Sequence, residues 1–123
     1  MDQAVLVIDD DIFTLRLLES LLNQAGFQVF QTDNTHEALN ILEENNIDVI
    51  TCDVMMPEVD GIAFLETLKK NPISAKIPVV IITAAGRQEV LDKAQSLGAS
   101  TILEKPFTAD QVKEALKQAQ KQG

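Results

Sequence analysis

Asp9, Asp10 and Asp11 follow the apolar run 5–8, and Asp53 follows the run 47–52. Thr83 closes the run 78–82, and Lys105 comes directly after the segment 101–104. If these four runs are parallel strands, their C-terminal ends share one edge of a sheet, the edge where open α/β folds bind ligands. Carboxylates, a hydroxyl and an ammonium would then meet in one cleft. Two carboxylates about 4 Å apart repel by roughly 4 kcal/mol at an effective dielectric near 20, so Asp9, Asp10 and Asp53 together call for a cation. The ligands on offer are hard oxygens, which suit Mg²⁺, an ion that takes few carboxylates and keeps waters. An anion bridging such a metal and Lys105 would fit, and a phosphoryl group has oxygens for the metal, the Lys105 ammonium and the Thr83 hydroxyl.

The elements that must position these groups alternate along the whole chain. A helix starting near Asp11 puts Leu15, Leu18, Leu22 and Ala25 on one stripe, and Gly26 stops it. A short strand over 27–31 follows. Asn34-Thr35-His36-Glu37 has the form of a capping box, with Asn34 as cap and Glu37 reaching back, and Ala38, Ile41 and Leu42 carry that helix inward. Beyond Asp53, Asp60-Gly61 opens a helix bearing Ile62, Leu65 and Leu68 that stops before Pro72. Residues 79–82 are all β-branched, as expected of a strand buried on both faces. Val90, Ala94 and Leu97 form the next stripe, with Gly98 as its C-cap, and Val112, Ala115, Leu116 and Ala119 form the last. Five βα units with short connections predict a doubly wound α/β domain around a parallel sheet.

The chain has 123 residues, enough for one domain with one core, and its 46% hydrophobic content suits a globular protein. No apolar run approaches the ~20 residues of a membrane helix, and no basic stretch precedes an apolar one at the N-terminus, so neither a membrane nor a secretory role is expected. A single cysteine excludes an internal disulfide and makes a reducing cytoplasm the expected location. A net charge of −9 and a pI near 4.4 argue against nucleic acid as a partner.

The motifs carry a resemblance over essentially the whole chain. Asp9-Asp10, Asp53 within Asp53-Val54-Met55-Met56-Pro57-Glu58-Val59-Asp60-Gly61, Thr83-Ala84, and Lys105-Pro106-Phe107 together resemble the receiver domain of two-component response regulators. The resemblance implies a (βα)5 fold, flavodoxin-like, with strand order 2-1-3-4-5 across residues 1–123 and no output domain. It implies that Asp53 accepts a phosphoryl group from a phosphohistidine on a sensor histidine kinase or phosphotransfer protein. Asp9, Asp10, Asp53 and the backbone carbonyl of Met55 would hold Mg²⁺, Asp9 through water. Lys105, joined to Pro106 by a cis bond, would pair with a phosphate oxygen. Thr83 would swing inward onto the phosphoryl group and switch a surface read by a downstream target protein. On this reading the chain is a regulatory switch in a phosphorelay. It catalyses its own phosphorylation and dephosphorylation, with Met55 and Ala85 flanking the site where the family tunes the dephosphorylation rate.

One position departs from the pattern. The family usually carries Tyr or Phe three residues before the lysine, coupled to the threonine; here Ile102 stands there, and the chain has no Tyr. The expectation is intact phosphorylation chemistry with a weaker or differently routed signal to the face formed by the last strand and the last two helices. Cys52 precedes Asp53 but should point to the opposite side of its strand as a core thiol. His36, in the first turn of a helix, should be solvated.

Three other functions compete. A phosphatase of the haloacid-dehalogenase-like class would use Asp9 as nucleophile and Asp11 as acid. It also needs a late acidic pair, and after Lys105 only Asp110 and Glu114 remain, inside a helix, while Asp53 is left without a role. A flavodoxin-like nucleotide-binding module would need a Ser/Thr/Gly-rich loop after the first strand, where three aspartates would instead repel phosphate. A receiver fold that only docks proteins, without accepting phosphate, is disfavoured because all five chemical positions are filled.

Overall fold

The structure is a computed structural model, describing residues 3–53, 61–84 and 88–122. In it β1 (Ala4–Ile8), β2 (Gln28–Thr32), β3 (Val49–Cys52), β4 (Val79–Thr83) and β5 (Thr101–Glu104) alternate with α1 (Ile12–Gln24), α2 (Thr35–Glu44), α3 (Gly61–Lys70), α4 (Gln88–Ser96) and α5 (Ala109–Gln122). The strands form one parallel sheet in the order β2-β1-β3-β4-β5.

The side-chain period of a strand divides the core into two layers. Leu6, Ile8, Ile50, Cys52 and Ile81 face Ala38, Leu42, Leu65, Leu68 and Ala94 of α2, α3 and α4. Val5, Val7, Val49, Val80 and Ile82 face Leu15, Leu18, Leu22, Val112 and Leu116 of α1 and α5. Every residue of β1, β3 and β4 is buried, which is why those segments read as unbroken apolar runs. The edge strands β2 and β5 are half-buried and more polar. Truncating a wholly buried member such as Leu65 or Leu68 to Ala would cost about 2–5 kcal/mol.

Caps fix where the helices start and stop. Asp11 caps α1, accepting from the Phe13 N–H and the Thr14 hydroxyl. Gly26 (φ 94°) ends it: its N–H donates to Asn23 and that of Phe27 to Leu22, closing a Schellman turn that needs a left-handed residue. Gly98 (φ 98°) closes α4 the same way, as its sequence position suggested. Ala25 departs from expectation. It is the C-cap of α1 and exposed, because the chain turns away before it reaches the core. The α2 cap is also only half a box. Asn34 accepts from the Glu37 N–H, but its own N–H donates to Thr32 Oγ1, so Glu37 has no donor to reach back to and stays exposed. The strand placed at 27–31 begins and ends one residue later, since Phe27 is held in the turn after α1.

Candidate functional site: an acidic cleft at the C-terminal edge of the sheet

Ladder hydrogen bonds continue one residue past the strands and fix the site residues. The N–H of Asp9 donates to the Thr32 carbonyl, that of Asp53 to Ile8, and that of Lys105 to Thr83. Asp9 and Asp53 are thereby held side by side at the ends of β1 and β3, while Lys105 enters from β5 beside the end of β4. The peptide bond from Lys105 to Pro106 is cis.

Five of the residues singled out by sequence converge here. Oxygens of Asp9, Asp10 and Asp53 lie within 4.8 Å of one another. Asp9 and Asp53 are buried and Asp10 is exposed, so the cluster opens to solvent on the Asp10 side. The Lys105 ammonium donates to Asp9 Oδ2 at 2.9 Å and to Asp53 Oδ2 at 3.2 Å. The Thr83 hydroxyl, wholly buried at the end of the adjacent β4, has no hydrogen-bond partner among the described residues. A buried hydroxyl is normally satisfied, so this one has unused hydrogen-bonding capacity at the strand end whose carbonyl accepts from the Lys105 N–H. Met55 and Ala85 lie outside the described residues.

Burial pushes the Asp9 carboxyl above the ordinary carboxylate range, and the charge of Asp53 adds to the rise; the Asp11 N–H and Lys105 only partly offset it. At Lys105 burial acts to lower the ammonium, but the hydrogen bond and charge of Asp9, with those of Asp53, outweigh it and hold the group above its usual value. The result is a cleft with two buried carboxylates, one ammonium and a third carboxylate at the rim. That donor set is all oxygen and carries more negative charge than one lysine balances, which fits a hard divalent cation.

Asp11 takes no part in this cluster. Both of its oxygens serve the α1 cap, and the Thr14 hydroxyl and then the Phe13 N–H hold its carboxyl below the usual range. It is therefore not placed as the acid of a phosphatase. Cys52 lies in the opposite core layer, its thiol donating to the Asp53 carbonyl at 3.6 Å and pushed up in pKa by burial, as a core thiol should be. His36 is exposed at the start of α2.

Two features escaped sequence reading. The ion pair between Lys105 and Asp9 was not anticipated, although a cluster of buried carboxylates with one nearby lysine signals it. Ile12, Phe13 and Leu17 are 52%, 77% and 47% exposed on α1, and their signal was their place off the inward stripe.

A parallel five-stranded sheet whose acidic C-terminal edge is crossed by one lysine defines a phosphoryl-handling α/β switch domain rather than a nucleotide-binding one. The family model for the response regulator receiver domain matches residues 5–117, and the chain belongs to that family, the phospho-accepting side of two-component signalling. The chain is 34% identical over 117 residues to sporulation initiation phosphotransferase F of Bacillus subtilis, covering 95% of this chain and 93% of that protein. It is 33% identical to the chemotaxis protein CheY of the same organism, covering 94% of this chain and 96% of the relative. A receiver domain protein from Clostridium thermocellum superposes with a TM-score of 0.87 at 33% identity, covering 98% of this chain and 95% of that one. No helix among the described residues is long and apolar enough to cross a membrane.

Proposed function

We propose that Asp53 is the phospho-acceptor of this receiver. An Asp53 oxygen attacks the phosphorus of a phosphohistidine on a sensor kinase or phosphotransfer protein. The P–N bond breaks, its electron pair stays on the imidazole, and an aspartyl phosphate forms. Water later attacks that phosphorus and releases inorganic phosphate, regenerating the carboxylate. Asp9, Asp10 and Asp53, with the Met55 carbonyl, would hold Mg²⁺, which would supply charge neutralisation for the phosphoryl oxygens. Lys105 holds one of those oxygens and steadies charge as it shifts from donor to acceptor. The Thr83 hydroxyl, unpartnered among the described residues, donates to the phosphoryl group and thereby couples its presence to β4. A downstream protein reads the changed surface, residues 1–123 act as the receiver unit, and the cytoplasm is the place of action.

The observation that carries this reading is the joint presence of three clustered carboxylates, a bridging ammonium and an orphaned buried hydroxyl on adjoining strand ends. The donor must reach Asp53, and the exposed apolar side chains of Ile12, Phe13 and Leu17 begin one residue after the Asp11 cap. They supply a contact for a donor protein that a small phosphodonor does not need.

The test is intact mass after incubation with acetyl phosphate and Mg²⁺. A gain of one phosphoryl group that requires both Mg²⁺ and Asp53, and is lost in Asp53→Ala, is expected. No gain with acetyl phosphate or phosphoramidate, with metal binding verified, would replace this reading by that of a phosphorylation-independent docking module.

A further inference from the structure

The opposite edge of the sheet carries a second concave surface. A pocket of about 300 Å³ opens between Gln3, ahead of β1, the α1–β2 turn at Ala25 and Phe27, and the stretch 113–120 of α5. Its floor is apolar: Leu116 is buried and Phe27 half-buried. Phe27 is fixed there by the Schellman turn, its N–H bonded to the Leu22 carbonyl at 2.9 Å, so this wall is preformed. Lys113 and Lys117 form the α5 wall, and no carboxylate lines the pocket among the described residues. In a chain with 19 acidic and 10 basic residues, a two-lysine wall without an acid is a local inversion of charge.

Lys121 extends the line. Lys113, Lys117 and Lys121 recur every fourth residue along α5, about 6 Å apart per step at 1.5 Å rise per residue. All three are exposed, and none joins an ion pair among the described residues. The acidic residue of that stretch, Glu114, instead accepts from the Gln118 side chain.

We propose that this pocket docks an acidic amphipathic helix of a partner protein. One Leu- or Phe-sized side chain of that helix covers Leu116 and Phe27. Carboxylates four residues apart on it meet Lys113 and Lys117, because their spacing along a helix matches the lysine spacing. Charge complementarity selects this occupant. A small inorganic anion would leave the apolar floor uncovered. An extended anionic surface such as a lipid bilayer or nucleic acid would also press its charge against the acidic remainder of a chain of net charge −9, whereas a single helix can seat its carboxylates on the lysines alone.

The site lies at the N-terminal ends of β1 and β2, and Asp53 follows the C-terminal end of β3. A strand of five residues separates the two edges by roughly 16 Å. Docking here is therefore a constitutive tether, separate from the phosphoryl-dependent switch and independent of whether Asp53 is the acceptor.

The experiment is an NMR titration of the full chain, isotope-labelled, with a synthetic helical peptide carrying Leu and Phe on one face and Glu pairs four residues apart. A matched peptide with Lys in place of Glu is the control. Saturable shifts centred on Ala25, Phe27, Lys113, Leu116 and Lys117 are expected, weakening as salt rises to about 0.15 M. Lys113→Glu with Lys117→Glu should weaken binding about tenfold, since two exposed attractions become repulsions. That variant's amide spectrum away from the pocket and its thermal melt should match the wild type, which shows that it is folded. Beryllofluoride, a phosphoryl mimic, should leave peptide affinity unaltered. Absence of saturable shifts at millimolar peptide, or equal binding of the Lys peptide, would overturn the proposal. So would co-sedimentation of the chain with phosphatidylglycerol vesicles in place of peptide binding.

Discussion

The Nζ of Lys105 donates a 2.9 Å hydrogen bond to Oδ2 of Asp9 across 96 positions of sequence, tying the end of β5 to the end of β1. The same ammonium reaches Asp53 at 3.2 Å, so one tethered cation serves two buried carboxylates. Lys105 does within the chain part of what a metal would do better.

Asp9→Asn tests that division of labour. The raised Asp9 carboxyl means its ionised form is disfavoured by folding at neutral pH, chiefly through burial. Replacing it by Asn should stabilise the metal-free chain, because the buried charge is removed. Wild type should gain about 2.7 kcal/mol when Mg²⁺ reaches a hundred times its Kd, and the variant should lose most of that gain. Thermal melts with and without Mg²⁺ measure both. A destabilised variant that still responds fully to Mg²⁺ would contradict the assignment.

Neighbouring Asp9 and Asp11 should bend the pH–stability curve in opposite senses. With its folded pKa above 3.8, Asp9 carries its full cost above that folded value and sheds it as pH falls from there toward 3.8. With its folded pKa below 3.8, Asp11 contributes fully above 3.8 and loses that contribution as pH falls through its folded value. Subtracting metal-free Tm-versus-pH curves isolates each group. Asp9→Asn should remove a rise on the high side of 3.8, and Asp11→Asn, which keeps a capping oxygen, should remove a fall on the low side.

Much of this was legible in the chain because buried parallel strands leave an unmistakable trace. Runs 5–8 and 79–82 are continuous because both faces are covered, and the residue that follows each must lie at one edge. The site residues could therefore be gathered before any distance was known. What sequence did not convey was how polar groups share partners. Glu37 reads as half of a capping box, yet Thr32, one strand earlier, supplies the oxygen that takes the Asn34 N–H. Conversely Thr108 and Gln111, not singled out in the sequence, form a reciprocal box at the start of α5, each side chain accepting from the other's N–H. Ala25 fitted the helical period but fell past the last turn, where period no longer dictates burial.

Thr83→Val should separate stability from signalling. The substitution keeps shape and removes a buried hydroxyl with no partner among the described residues, so the unphosphorylated chain should gain about 1–3 kcal/mol. The added stability conferred by beryllofluoride should shrink, because the hydroxyl proposed to donate to the phosphoryl oxygen is gone. Denaturant unfolding of both forms gives the two numbers. A variant less stable than wild type before beryllofluoride is added would mean the hydroxyl is satisfied after all.

Phe13→Ala addresses the donor protein. Phe13 is 77% exposed, so its loss should change folding stability by less than about 0.5 kcal/mol. Phosphorylation by acetyl phosphate should proceed at the wild-type rate, while transfer from a phosphorylated histidine protein should slow about tenfold, as for loss of a central apolar contact of 1–2 kcal/mol. Equal slowing with both donors would place Phe13 in the chemistry rather than the contact.

Ile102 bears on how far the signal travels. It pairs in register with Ile81 and packs against the core layer of α2, α3 and α4, with no polar tip that could exchange buried and exposed positions. A β-branched side chain held at χ1 is also stiff, so movement of Thr83 has little to displace there. Beryllofluoride should accordingly shift amide resonances near Asp53 and Thr83 strongly and those of β5, α4 and α5 weakly. Ile102→Tyr offers an amphipathic ring at a half-buried edge-strand position, able to turn inward with its hydroxyl still solvated. That variant should enlarge the shifts along β5 and α4 while leaving the Asp53 mass gain unchanged. Full-sized shifts across that face in the wild-type chain would show that coupling between β4 and the α4–β5–α5 surface does not need the aromatic ring.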